Sequence, residues 1–377
     1  MNPRKIKAIA RKEFYHLIRD YRSLILAFVI PLFLILLFGY ALSLDVNNIQ
    51  TAVVDQDRTD LSRDFIRHLD ASPYFHIQTL AKEPDEAAGY LDQGRVLLAI
   101  IIPPKWTANI RSDRMAPLQI LMDGSDPNFS NIARGYINGF IEEYNQRLLN
   151  RFLNRQGMSP IHPPVEGRIR VWFNEDLESR NFIIPGIIAL IIMIAGAMLT
   201  SLIIAREYEN GTMETIKSLP LTAFEFILGK AIPYFFIALI DVLIAVLMGQ
   251  VLFGIVMKSS FWIMLLASSL YILVALMLGL LISTITKSQL LANQGAILIT
   301  YLPSLMLSNF VFPISNMPKG LQMLTYGVPA KYYIDILGSI YLKNLGMAHI
   351  GVDLVVLSAM FLSMALVSFI LLKREGL

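Results

Sequence analysis

Long uncharged apolar runs alternate with short polar connectors over most of this chain, and the pattern changes character once, between residues 45 and 180. Uncharged runs of about 18 residues or more predict membrane-spanning helices. Six such runs occur, at 23–44, 181–205, 231–257, 259–286, 288–318 and 354–372, and Asp241 is the only acid or base inside them. The fifth exceeds one crossing and is divided by Pro303, Pro313 and Pro318. That predicts a span ending near Asn309 and a broken or re-entrant segment over 310–350.

Residues 45–180 have the pattern of a soluble domain. β-like runs at 51–54, 75–80, 96–102 and 118–122 alternate with helical ones at 60–69 and 84–93, which predicts a small α/β domain. Ser125-Asp126-Pro127 then opens a helix in which Phe129, Ile132, Ala133, Tyr136, Ile137, Phe140, Ile141, Tyr144, Leu148 and Phe152 share one face. The stripe runs for about 25 residues, or roughly 37 Å, and is expected to cover the sheet. Pro160, Pro163 and Pro164 mark a linker over 156–168.

Ahead of the first run, Ile6, Ile9, Ala10, Phe14, Leu17, Ile18 and Tyr21 recur every three to four positions, with cations such as Arg11 on the other face. Residues 1–22 therefore predict an amphipathic helix at a membrane interface, marked by Arg11, Phe14 and Ile18. The first run, 23–44, is too long for a signal-peptide core despite Ala41-Leu42-Ser43, and reads as the first transmembrane helix.

Composition agrees with the pattern: 55% of residues are hydrophobic and 16% charged, which sets the chain among polytopic membrane proteins. A net charge of +3 leaves no nucleic-acid footprint. The cations matter by position. Arg4, Lys5, Lys7, Arg11, Lys12, Arg19 and Arg22 precede the first run, Arg206, Lys217 and Lys230 lie between the second and third, Lys287 follows the fourth, and Lys373 and Arg374 follow the last. All fall on one side, which predicts both termini and the 206–230 loop in the cytoplasm and residues 45–180 outside it. Cysteine is absent and the five histidines are scattered, so no metal site is expected. Leu228-Gly229-Lys230-Ala231 lacks the spacing and the hydroxyl residue of a nucleotide-binding loop, and no nucleophile elbow or zinc-protease helix is present. The chain is expected to be no enzyme by itself.

Two sets of residues remain as candidates. The polar insert holding Arg206, Glu207, Glu209, Gly211, Thr212, Glu214 and Pro220 sits between two spans, and Gly211-Thr212 is placed to end one helix and start another, with Thr212 as cap, Glu214 in the first turn and Pro220 as stop. A short helix clamped there suits the transmission of a displacement. Asp241 is costly in a bilayer, about 2.5–3.5 kcal/mol at mid-helix, so it should face protein or water. Asn293, Gln294 and Asn309 are the weaker intramembrane candidates for lining a pathway.

Phe182-Ile183-Ile184-Pro185-Gly186, the stretch from Arg206-Glu207 to Glu214, Leu228-Gly229-Lys230, Gly279-Leu280-Leu281-Ile282-Ser283-Thr284, Phe312-Pro313 and Met317-Pro318 together resemble the ABC-2 type permease family, in the branch with a large extracytoplasmic domain after the first span. Ser308-Asn309 stands where that family often has a Ser-Gly pair. The resemblance covers the whole chain and implies a six-helix, type V exporter-like membrane fold with an inserted α/β extracytoplasmic domain at 45–180 and a five-helix region at 181–377. It implies a permease subunit that exports drug-like or amphipathic compounds across a bacterial inner membrane. The coupling helix of the family falls on Glu207, Glu209, Gly211, Thr212 and Glu214. Implied partners are a separate ABC ATPase subunit carrying ATP and Mg, a second permease copy or a related permease, the lipid bilayer and an extracytoplasmic adaptor protein, with no cofactor on this chain. The competing readings are an ion-coupled secondary transporter using Asp241 and a membrane-anchored extracytoplasmic receptor.

Overall fold

In the computed structural model, residues 2–19, 25–41, 48–112, 114–157, 172–174 and 178–376 are described. The expected linker over 156–168, with its three prolines, lies almost wholly outside them, as do Tyr21 and Arg22. The chain divides into two compact units, Leu44–Arg170 and the pair of segments Met1–Ser43 and Val171–Leu377.

Alternation of side chains along short β-branched runs builds the first unit. Strands β1 (Ile49–Asp55), β2 (Phe75–Ala81), β3 (Leu98–Ile102) and β4 (Gln119–Met122) form one sheet in the order β2-β1-β3-β4. β1 is parallel to both β2 and β3, and β4 is antiparallel to β3. Parallel neighbours require crossovers, supplied by α3 (Asp60–Asp70) and α4 (Pro84–Asp92). Since successive residues point to opposite faces, Leu98, Ile100 and Ile102 join one apolar cluster while Ala99 and Ile101 join another. The larger cluster includes Phe65 of α3, Trp106 of α5 (Trp106–Arg111), and Ala133, Ile137 and Tyr144 of the long α6 (Pro127–Arg155). Asp126 accepts the Phe129 amide at the start of α6. The four β-like runs of the sequence are the four strands; α5 is a helix that the apolar pattern did not single out.

The second unit is helical. α1 (Pro3–Arg19) is followed by a π-turn and α2 (Ile30–Ala41), and then α7 (Arg180–Glu209), α8 (Thr212–Ser218), α9 (Ala223–Phe253), α10 (Phe261–Thr286), α11 (Gln289–Met306), α12 (Lys319–Thr325), α13 (Pro329–Gly338) and α14 (Met347–Arg374). Among the described residues four helices, α7, α9, α10 and α14, are long and apolar enough to cross a membrane. α2 is shorter, and α11, at 18 residues, carries more polar side chains, so six spans were expected where four meet both criteria. Past α11 the chain breaks into a 3-10 turn and the short helices α12 and α13, within the segment expected to be irregular.

Small residues let α7 and α10 approach closely. A Cβ on Gly279 would collide with the Thr200 hydroxyl and the Ala197 carbonyl. The same seam carries hydrogen bonds from Thr200 Oγ1 to the Leu276 carbonyl (3.0 Å) and from Tyr271 Oη to the Ala189 carbonyl (3.1 Å). Close backbone approach and interhelical hydrogen bonds are what hold helices together where lipid removes the hydrophobic drive.

Candidate functional site

The Arg206-to-Pro220 insert folds as two helix ends and a short helix between them. α7 stops at Glu209 and α8 starts at Thr212 because Gly211 takes a left-handed backbone (φ +69°), which glycine adopts without the steric cost of a Cβ. The N-cap of α8 is Gly211 itself and carries no side-chain bond, so Thr212 is not the cap the sequence suggested. Its hydroxyl instead donates back to the Glu207 carboxylate. α8 buries Met213 and Ile216 and leaves Glu214, Thr215 and Ser218 exposed. Leu219 and Pro220 are exposed at its exit.

One buried ion cluster holds this turn. Lys230 of α9 is only 2% exposed, and its Nζ donates to Glu13 Oε1 of α1 and to Glu207 Oε1 of α7, both at 2.7 Å. Glu13 is 5% exposed and Glu207 8%. Lys12 reaches Glu207 from the rim at 3.3 Å. A buried charge persists only when paired and hydrogen-bonded, and this cluster ties three helices to one point.

A second set of contacts fastens the start of α1 to the start of α9. Thr222 and Glu225 form a reciprocal capping box, and the other Glu225 oxygen accepts the Asn2 amide at 2.7 Å. Lys5 donates to the Pro220 carbonyl and lies 3.9 Å from Glu225. Gly229 leaves room for α1, since a Cβ there would stand 2.7 Å from Ile9 and 3.3 Å from the Ile6 carbonyl. α1 therefore buries Glu13 and Leu17 against its neighbours while Arg11, Phe14 and Ile18 are exposed. The single apolar stripe read from the sequence is split between protein and surroundings.

The remaining candidates disperse. Arg206 is half-buried, and Glu209 binds the Gln289 amide (2.7 Å) and side chain (2.6 Å), capping α11. Glu207 and Glu209 thus make internal contacts, and Glu209, Gly211, Thr212, Glu214 and Pro220 are the exposed members of the set. Asp241 is 8% exposed, and its Oδ1 has no hydrogen-bond partner among the described residues. It faces a small cavity lined by Pro31, Ile188, Ile192, Gly196, Ala238 and Ala245. Asn293 is half-buried and Gln294 exposed on α11. Asn309 has a left-handed backbone and accepts the Ile314 amide (3.1 Å), which closes the turn after α11.

Sequence reading missed Glu13 and the roles of Thr222 and Glu225, and counted Lys230 among the cations of the connector between the second and third spans. The signal was present: Lys230 lies about two turns inside α9, where an ammonium requires an acid, and Thr222 with Glu225 has capping-box spacing.

A family model described as ABC-2 family transporter protein matches residues 21–370. A probable multidrug ABC transporter permease of Escherichia coli (strain K12), YbhS, is 35% identical over 97% of this chain and 95% of its own length. A second probable multidrug ABC transporter permease of that organism, YbhR, is 30% identical over 90% of each chain. The inner membrane transport permease YhhJ, also from that strain, is 26% identical over 84% of each.

Proposed function

The chain belongs to the ABC-2 family of transporter proteins, and from that premise we propose that it is the membrane-spanning subunit of an exporter in which a separate ATPase drives transport through the exposed face of α8. Membership makes it a membrane-embedded ABC permease and implies an ABC ATPase partner. In this reading α2 and α11 complete six spans with the four long helices, both termini and α8 lie in the cytoplasm, and the α/β unit lies outside. The subunit works as a pair with a second copy or a related permease and moves amphipathic compounds outward.

The observation that carries the proposal is the buried Glu13–Lys230–Glu207 cluster directly behind α8. A short helix on a flexible loop would absorb a push. One anchored to α1, α7 and α9 at a single point passes the displacement to all three, because packed interfaces shift as units rather than deform. Gly211, Thr212 and Glu214 then form the contact surface, while Glu207 and Lys230 position it.

Asp241 favours the ion-coupled alternative, since a carboxylate within a span, with one oxygen unpartnered among the described residues, is a functional-site mark for a proton or cation. Reconstituting the chain with an ABC ATPase subunit in proteoliposomes separates the two. ATP-driven export expects transport to need ATP hydrolysis and to survive a protonophore; transport that stops with the protonophore while ATP hydrolysis continues would replace it.

A further inference from the structure

The α/β unit carries a second feature that the transport reading does not use. A cavity of about 750 Å³ opens at the carboxyl ends of β1 and β2, bounded by Arg58, Arg63 and Arg67 on one side and Leu80 and Lys82 on the other. Its four cations outnumber its two acids, Asp55 and Asp60. Asp55 is occupied, accepting the Asp57 and Arg58 amides and the Ser62 hydroxyl, which leaves Asp60. Arg58, Arg63 and Lys82 have no carboxylate within ion-pair distance among the described residues, and Arg67 meets Asp64 only at 3.4 Å, where Arg151 is closer at 2.8 Å. The amino end of α3 begins at this rim.

The lining also has shape. Arg63 and Arg67 stand one turn apart on α3, about 6 Å along the axis, close to the roughly 6.7 Å between alternate residues of an extended chain. Ile66 lies between them, and Leu80 on β2 is 64% exposed although apolar. β2 is an edge strand, paired with β1 on one side only. A strand edge beside a row of cations and an exposed leucine matches an extended segment whose acids and apolar residues alternate.

We propose that this groove is the docking site for an acidic, extended segment of a protein partner, with Arg63 and Arg67 reading successive carboxylates and Leu80 with Ile66 seating the apolar residue between them. The site lies within the α/β unit and requires nothing of the transported compound. A small dianion would engage one or two of the cations; a chain engages the row.

The test uses the full-length protein in lipid nanodiscs and a fluorescein-labelled peptide of alternating glutamate and valine, followed by anisotropy. Saturable binding is expected that weakens with added salt and drops by about tenfold or more in Arg63→Glu/Arg67→Glu. Citrate at equal carboxylate concentration should fail to displace the peptide. Binding unchanged in the double variant, or displacement by citrate, would overturn the proposal, the second outcome marking a small-anion site. Lys82→Glu, which lies off the helix, repeats the measurement should the double variant fold poorly, and Leu80→Ser should weaken the peptide while leaving its salt dependence intact.

Discussion

Lys230→Met removes an ammonium from between two buried carboxylates and keeps the side-chain volume. In the native chain both Glu13 and Glu207 lie 2.7 Å from Lys230 Nζ. Glu207 retains Lys12 at 3.3 Å and the Thr212 hydroxyl, while Glu13 has no other cation among the described residues. Breaking a buried pair by removing one partner costs about 3–5 kcal/mol, because the stranded charge is left without solvent or partner. Neutralising the stranded group should restore part of this loss, so Glu13→Gln/Lys230→Met should be more stable than the sum of its single variants predicts by about 1 kcal/mol or more. Unfolding of the purified chain in mixed micelles, titrated with dodecyl sulfate and followed by tryptophan fluorescence, measures all corners of the cycle. A Lys230→Met variant within about 0.5 kcal/mol of wild type, or strictly additive costs, would refute the cluster as the anchor of α8.

The α7–α10 seam should be as sensitive: Gly279→Val, colliding with Thr200 and the Ala197 carbonyl, should lower stability by about 1–3 kcal/mol or more in the same titration, whereas Gly320→Val, which meets open space, should not. At Asp57, burial opposes the charged form, but hydrogen bonds from the Thr107 hydroxyl and amide and from Thr59 outweigh it and hold the carboxyl below its ordinary range. Its folded value being depressed, Asp57 contributes stability that is complete above the ordinary aspartate value near 3.9 and fades as the pH falls through the folded value. Asp57→Asn should therefore lower stability at neutral pH and flatten the acid limb, read from Trp106 fluorescence with Trp172 and Trp262 replaced by Phe. Asp241→Asn removes a buried carboxylate whose Oδ1 has no partner among the described residues, so it should raise the unfolding midpoint and leave ATP-driven transport intact; loss of transport at wild-type stability would give Asp241 a place in the pathway.

The parts of this fold governed by local pattern could be read in advance. Short β-like runs placed the strands, apolar length placed α7, α9, α10 and α14, and Gly211 marked the break between α7 and α8. What escaped was set by contacts across the chain. The third span was expected to begin at 231, yet α9 begins at Ala223, because Glu225 and Lys230 are matched by Asn2 and Glu13, more than 200 positions away. The same matching turned Glu207 from an exposed contact into a buried anchor. The Phe14–Ile18 stripe was legible as amphipathic, but Gly229, which decides how deeply α1 packs, reveals its role only beside Ile9.

The central claim is that α8 carries the ATPase stroke and that its contact face is separable from its anchor. Gly211→Val forces a β-branched residue into a left-handed backbone at an exposed position, where a Cβ meets no neighbouring atom, so the perturbation is confined to the angle between α7 and α8. Substrate-stimulated ATP hydrolysis, measured on nanodisc samples matched for the amount of ATPase subunit bound, reports on coupling alone. Gly211→Val is predicted to assemble with the ATPase and lose the stimulation; wild-type stimulation from an equally assembled sample would contradict the account.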